Sequence, residues 1–195
     1  MNLKEILQES VTNRPLVIVD VQPAYIRNIS RYNLSGLIDI VNKHTGAILM
    51  YVNAENTTGC DDLYDIQMWW LENGLDEDKL NDIKWIDKGY GYLRGWMDTG
   101  VSEKTIIKAI REMYRQKIND SRELFDGDVS AINEYLEEEV PRDDAISVNW
   151  IGLAKLKSLS PFYLCGGGKN ECLREVTLMC NAFNIPYKLM NDFVY

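Results

Sequence analysis

Short unbroken apolar runs alternate along this chain with longer stretches in which apolar residues recur every three or four positions. The first run, LVIV at residues 16–19, is rich in β-branched residues, which is typical of a parallel strand buried on both faces. Similar runs at residues 47–52, 145–148 and 162–164 predict further strands, and two short segments that include charged residues, 83–88 and 187–190, are also interpreted as strands. The alternation of strands and helices predicts an α/β fold, a three-layer sandwich with a mostly parallel, Rossmann-like sheet.

The helical spacing is clearest in residues 34–41, 61–75, 102–114 and 129–140. Ser102 precedes the third of these stretches and is expected to cap its N-terminus, because a serine oxygen accepts hydrogen bonds from the first free N–H groups. A chain of 195 residues is long enough for one complete α/β core and short for two. We therefore predict that residues 1–195 form a single domain.

Composition and charge exclude several classes of protein. The formal net charge of −9 argues against nucleic acid as the main partner, since polyanion binding needs a basic face. No run approaches the ~20 apolar residues that span a bilayer, and the first residues lack a signal-peptide layout, so we predict a cytoplasmic protein with no membrane partner. Four cysteines without a CxxC pair predict free thiols, and the single histidine, His44, disfavours a histidine-based metal site.

The stretch at residues 163–173 predicts a buried strand, a turn of three glycines and the start of a helix. This pattern places Cys172 in the first turn of that helix. Helix N-termini carry unpaired N–H groups and a partial positive charge, so a thiol there is shifted toward the nucleophilic thiolate. The alternative from the same residues is that Cys172 is a small buried hydrophobic residue in an ordinary core helix.

A carboxylate, Asp20, closes the first predicted strand. Open α/β sheets bind their ligands at the carboxyl ends of the strands, so this position is a candidate for chemistry. The alternative is a turn aspartate that caps the following segment.

Two segments, VIVDVQPAY at residues 17–25 and GGGKNECL at residues 166–173, together resemble the isochorismatase-like cysteine hydrolase superfamily. The resemblance implies an Asp–Lys–Cys triad, in which Asp20 accepts the proton of the nucleophile Cys172. Asn149 occupies the position where that family has its lysine. We therefore assign the lysine role to Lys88, which makes the region around residues 100–142 a helical insertion.

The resemblance also implies a glycine turn whose backbone N–H groups stabilise an oxyanion, with a cis or otherwise strained peptide bond between residues 166 and 169. The turn residues expected there are Gly167, Gly168, Lys169 and Glu171. The residues expected to line the substrate pocket are Gln22, Tyr25, Tyr90, Tyr92, Asn149 and Trp150.

These observations lead us to expect a metal-independent and cofactor-free cysteine hydrolase for a small amide, imide or ether-type substrate. The resemblance also implies a homo-oligomer, since members of that family commonly form dimers or tetramers, and the aromatic residues of this chain permit one. The first alternative is a catalytically silent member of the same fold that binds a small molecule or a protein. A second alternative, a Rossmann-type nucleotide binder, is disfavoured because the three glycines lack the GxGxxG spacing.

Overall fold

The computed structural model describes residues 14–26, 29, 31–54, 61–88, 93–119, 122–142 and 146–195. Their contacts divide the chain into two compact units. The first comprises Met1–Lys88, Leu159–Leu173 and Pro186–Tyr195, and the second comprises Gly89–Ser158 and Arg174–Ile185.

The first unit is built on a five-stranded parallel sheet. Its strands are β1 (Leu16–Val19), β2 (Ile48–Val52), β3 (Ile83–Asp87), β4 (Phe162–Gly166) and β5 (Tyr187–Leu189). They lie in the order β3-β2-β1-β4-β5, and every neighbouring pair is parallel. The fold is therefore α/β, of the three-layer class with a Rossmann-like sheet, as the sequence predicts.

The central strands are apolar because they are buried on both faces. Every residue of β1, β2 and β4 is buried. One hydrophobic cluster of the first unit joins strand residues such as Ile18 and Met50 to Leu37, Ile40 and Trp70 of the helices. These helices are α1 (Pro23–Ile26), α2 (Leu34–Lys43), α3 (Leu63–Glu72) and α4 (Glu77–Asp82), and a 3-10 helix (Asn191–Phe193) follows β5.

The second unit is helical in its described part. It contains α5 (Arg94–Asp98), α6 (Glu103–Gln116) and α7 (Asp126–Asn133), together with most of α8 (Trp150–Leu159) and of α9 (Cys172–Ala182). Ser102 caps α6 as predicted, since its hydroxyl oxygen accepts a hydrogen bond of 3.2 Å from the N–H of Thr105. The helical region predicted around residues 100–142 falls in this unit.

Two predictions of local structure are wrong. Residues 146–148 are not a parallel strand of the sheet, because Ser147 forms only an isolated antiparallel bridge to Glu123. The helix expected at residues 129–140 is shorter and begins earlier, as α7. The helix predicted within residues 61–75 is confirmed as α3, which ends shortly before Gly74, where the backbone is left-handed with a φ of 104°.

Candidate active site at the carboxyl ends of the strands

The order of the strands reverses between β1 and β4, which are neighbours in the sheet. In open α/β sheets such a reversal opens a crevice at the carboxyl ends of the strands, where ligands bind. Asp20 follows β1 directly, Lys88 follows β3, and the glycine turn follows β4. All three belong to the first unit.

Asp20 and Lys88 form a buried ion pair. Lys88 Nζ contacts Asp20 Oδ2, and the side chains are 4% and 0% exposed. Both main chains are hydrogen-bonded to β2, which lies between them. The N–H of Asp20 donates to Tyr51 O at 3.0 Å, and the N–H of Lys88 donates to Val52 O at 2.8 Å. The sequence assigned both residues to one site, and the structure brings them together.

The remaining oxygen of the carboxylate, Asp20 Oδ1, has no hydrogen-bond donor within the described residues although it is fully buried. Buried polar atoms are nearly always paired, so an unpaired carboxylate oxygen indicates a group that awaits a partner. A proton or a substrate N–H would provide that partner.

The backbone of Asp20 is in an unusual conformation. Its φ is +48°, in the left-handed region that costs a residue with a side chain about 1 kcal/mol or more. The hydroxyl of Tyr195 donates a hydrogen bond of 2.9 Å to the carbonyl oxygen of Asp20. This bond helps to hold the conformation that directs the carboxylate to Lys88.

Glycine is required at residues 166 and 167, after β4. Both have positive φ, 77° and 62°. A Cβ on Gly166 would overlap the carbonyl oxygen of Val19 and lie 2.7 Å from Val21 Cγ2, while one on Gly167 would lie 2.9 Å from the nitrogen of Leu173. The glycines therefore let the turn after β4 approach the end of β1 closely.

Of the cis or otherwise strained peptide bond predicted between residues 166 and 169, the cis form is wrong, since the cis bond found in the described chain joins Ser160 and Pro161. The sharp change of direction comes instead from the positive φ angles of Gly166 and Gly167. Because glycine adopts such angles without steric cost, the turn needs no cis bond.

Several N–H groups of the turn are already bonded inside the protein. The N–H of Lys169 donates to Tyr195 O at 2.8 Å, and those of Glu171 and Leu173 donate to Gly168 O at 3.0 and 3.2 Å. Within the described residues, the N–H groups of Gly168 and Asn170 have no hydrogen-bond acceptor. Of the residues expected to form the oxyanion site, Gly168 thus has an N–H that no described residue accepts from, whereas the N–H groups of Lys169 and Glu171 are bonded to the main chain.

Cys172 is the first residue of α9 and is partly exposed. The other described thiols, Cys165 and Cys180, are buried, and burial raises the pKa of both, that of Cys180 to about 12. Cys172 is thus the thiol of the described chain that a substrate can reach.

Tyr195 connects the three predicted catalytic residues. Burial raises the pKa of its hydroxyl above the usual value, and the negative charges of Asp20 and of a Cys172 thiolate raise that pKa further, whereas Lys88 lowers it. Asp20, Cys172 and Lys88 therefore all lie within electrostatic range of one hydroxyl group. Sequence reasoning missed Tyr195, because no local pattern marks a tyrosine that reaches the site by tertiary packing.

Gln22 is buried and holds the main chain of Asn53. Its side-chain amide donates to Asn53 O at 2.8 Å and accepts from the N–H of Asn53 at 3.1 Å. The side chain of Asn53 donates in turn to the hydroxyl of Tyr25 at 3.1 Å. The charge of Tyr25 makes a further small contribution to the raised pKa of the Tyr195 hydroxyl.

The other predicted pocket residues are less informative. Tyr90 and Tyr92 lie outside the described residues. Asn149 and Trp150 belong to the second unit, where Asn149 Oδ1 accepts from the N–H of Gly152 at 2.9 Å and the Trp150 indole donates to Ile118 O at 3.1 Å. In its own unit Asn149 therefore serves as a helix cap.

A separate cavity of about 300 Å³ opens beside α1 and α3 in the first unit. None of the triad residues lines it; its lining residues are Pro23, Asp61, Asp65, Met68, Trp69 and Glu72. In the part of the chain that the structure describes, no cluster of three His, Cys, Asp or Glu side chains is arranged to hold a metal ion. The described helices include none long and apolar enough to cross a membrane.

No family model, curated protein or solved structure matches this chain closely enough to count as a relative. The arguments for its function therefore rest on the sequence and on the geometry of the residues around Asp20.

Proposed function

We propose that this protein is a metal-independent cysteine hydrolase of the isochorismatase-like type, which acts on a small amide, imide or ether-type substrate. The observation that carries the proposal is the buried Asp20–Lys88 ion pair, which lies within electrostatic range of the same hydroxyl group as Cys172. A carboxylate, a cation and an accessible thiol are the three groups that this chemistry needs.

In hydrolysis of an amide substrate, each residue of the site has a separate role. Asp20 accepts the proton of the Cys172 thiol, and the thiolate sulfur attacks the carbonyl carbon, so that the carbonyl π electrons move onto oxygen. Backbone N–H donors of the turn, including that of Gly168, stabilise the oxyanion. When the intermediate collapses, the C–N bond breaks, the leaving nitrogen takes the proton from Asp20, and a thioester remains on Cys172.

Water completes the cycle. Asp20, again a carboxylate, takes a proton from water as the water oxygen attacks the thioester carbon. The C–S bond then breaks, the leaving Cys172 sulfur takes that proton back from Asp20, and the acid is released with both residues in their starting states. Lys88 offsets the charge of Asp20 and of the thiolate throughout, since two anions in one small site would otherwise repel each other.

The proposal is tested first without a substrate, by alkylation of the intact protein with iodoacetamide from pH 5 to 10. Mass mapping of the peptide that carries Cys172 separates it from the other thiols, and the buried Cys165 and Cys180 serve as internal controls. We expect the apparent pKa of Cys172 to lie below the ~8.5 of a free thiol.

Variants at Lys88 sharpen this test. Two unit charges 4 Å apart interact by about 4 kcal/mol at an effective dielectric constant of 20, so loss of a cation several ångströms away changes a thiol pKa by about one unit or more. Lys88→Met should therefore raise the apparent pKa of Cys172. Because it leaves Asp20 buried without its partner, the double variant Asp20→Asn/Lys88→Met, which removes both charges, is measured beside it.

Turnover is tested with a panel of small amides, imides and ethers. Cys172→Ala should abolish hydrolysis of any compound that the parent cleaves, and the matched control Cys180→Ala, which removes a buried thiol in the same helix, should retain it. Full activity in Cys172→Ala would place the nucleophile elsewhere.

The second candidate is a catalytically silent binding module on the same fold. The observation in its favour is the turn itself, in which the N–H groups of Lys169 and Glu171 are bonded inside the protein. This candidate predicts ordinary reactivity of Cys172 and binding of a small molecule without turnover.

A further inference from the structure

Tyr195 contacts two parts of the proposed site at once. Its hydroxyl donates to the carbonyl oxygen of Asp20 at 2.9 Å. Its main chain bonds to the turn after β4. The N–H of Tyr195 donates to Gly167 O at 3.3 Å, and its main-chain oxygen accepts from the N–H of Lys169 at 2.8 Å. One residue thus joins the end of β1 to the turn after β4.

The ring of Tyr195 is itself held in place. It packs edge-on against the ring of Tyr32, with 5.5 Å between the ring centroids and an angle of 89° between the planes. The Tyr32 hydroxyl donates to Phe193 O at 3.3 Å. The raised pKa of the Tyr195 hydroxyl keeps that group neutral, so it remains a hydrogen-bond donor at any working pH.

The left-handed backbone of Asp20 explains why such a clamp is needed. A residue with a Cβ leaves this conformation readily unless its surroundings hold it, and the peptide carbonyl that Tyr195 binds is the one that turns with it. If the backbone relaxed, the carboxylate would move from its position on Lys88.

We infer that Tyr195 is a positioning residue, which acts through Asp20 to keep the Asp20–Lys88 pair formed and so sets the reactivity of Cys172. This inference rests on the proposed function. It assigns Tyr195 no contact with the reacting atoms, and it goes beyond the Asp–Lys–Cys triad.

The charges of Asp20 and Lys88 determine whether loss of the Tyr195 hydroxyl raises or lowers the alkylation rate of Cys172. While Asp20 is paired with Lys88, its negative charge offsets the cation that stabilises a thiolate at Cys172. Release of Asp20 leaves the Lys88 charge less opposed, so the Cys172 thiolate becomes more stable and alkylation at pH 7 becomes faster. Hydrolysis becomes slower at the same time, because the base is no longer in position. General loosening of the fold does not predict this combination, in which alkylation of Cys172 becomes faster while hydrolysis of the substrate becomes slower.

The test compares Tyr195→Phe with Tyr32→Phe in the full chain, using the rate of iodoacetamide alkylation at Cys172. Both changes remove one tyrosine hydroxyl that donates to a backbone carbonyl in the same unit, and only the first touches Asp20. We expect Tyr195→Phe to raise the alkylation rate at pH 7 at least threefold and Tyr32→Phe to change it less than 1.5-fold. The melting temperatures of the two variants should fall by similar amounts.

A double-mutant cycle shows whether Tyr195 acts through Asp20. Asp20→Asn alone should raise the alkylation rate more than Tyr195→Phe does, and adding Tyr195→Phe to Asp20→Asn should produce no further increase. An unchanged or lower rate in Tyr195→Phe, or an increase that persists in the Asp20→Asn background, would overturn the inference. If neither Asp20→Asn nor Lys88→Met alters the alkylation of Cys172, the proposed triad itself fails, so the two failures are distinguishable.

Discussion

The close approach of β4 to the end of β1 predicts that Gly166 cannot be replaced. In Gly166→Ala the new methyl group would overlap Val19 O, lie 2.7 Å from Val21 Cγ2 and lie 3.0 Å from Val19 N. Two of these neighbours are backbone atoms of a central strand, which cannot move aside as a flexible side chain would. The residue would also keep a φ of 77°, a conformation that L residues rarely adopt.

Gly74 provides a control that separates these two effects. It belongs to the same unit and has a φ of 104°, but a Cβ there would meet only Ile38 Cγ2, at an ordinary 4.0 Å. Gly74→Ala should therefore cost only the left-handed strain, about 1–2 kcal/mol. Gly166→Ala adds steric overlap, typically about 1–3 kcal/mol, so we expect a total cost of about 2–5 kcal/mol.

Urea unfolding followed by tryptophan fluorescence measures both variants, with the slope against urea checked for constancy. The prediction concerns the difference between them, which should be at least about 1 kcal/mol. If Gly166→Ala were no less stable than Gly74→Ala, the backbone of β1 would not lie where the structure has it, and the close approach that forms the proposed site would be refuted.

Three further substitutions test other parts of the structure. Gln22→Leu leaves the N–H and the C=O of Asn53 without their buried partners, so it should cost about 2–4 kcal/mol in urea unfolding. Ser102→Ala removes the cap that accepts from the N–H of Thr105 and should cost about 1 kcal/mol, with little effect on the alkylation of Cys172. His44 is buried, and burial first and then a nearby lysine lower its pKa, so the unfolded chain binds its proton more readily. Stability should consequently fall as the pH drops below the unfolded value of about 6.5, and His44→Gln should flatten that part of a stability-versus-pH curve.

The three central strands β1, β2 and β4 could be predicted from the sequence because every residue in them is buried, and such strands appear as continuous apolar runs. The edge strands β3 and β5 are only partly buried and include charged residues, yet five of the six predicted segments are strands of the sheet. The run at residues 145–148 has the same composition but not the same surroundings. It precedes Asn149, whose side chain caps α8, and composition alone does not separate a strand from a short connection.

Two of the triad candidates could be predicted because they directly follow predicted strands. Asp20 follows the buried β1, Lys88 was chosen as the lysine that follows β3, and the carboxyl ends of parallel strands meet at one edge of a sheet. Tyr195 and Asn53 could not be predicted, because their contacts depend on how the chain returns to the sheet after β5 and on which backbone atoms after β2 the buried amide of Gln22 reaches. Gln22 was predicted as a pocket residue because the Asp-x-Gln segment resembles the isochorismatase-like superfamily, whereas its fully buried amide holds the main chain of Asn53.

Several features that lower stability are concentrated at one end of β1, and their coincidence bears on the choice between the two candidate functions. Asp20 carries left-handed strain, and the buried Asp20–Lys88 pair loses hydration worth several kcal/mol per ion, only part of which its mutual attraction restores. A fold maintained for stability alone would place glycine at residue 20 and apolar side chains at the pair. A binding site for a neutral small molecule would account for the strained backbone of Asp20. It gives no reason to bury the Asp20–Lys88 ion pair within electrostatic range of the Tyr195 hydroxyl, whose pKa is also raised by the accessible thiol of Cys172. Because strained and buried charged groups persist where chemistry requires them, this combination favours the hydrolase over the silent module.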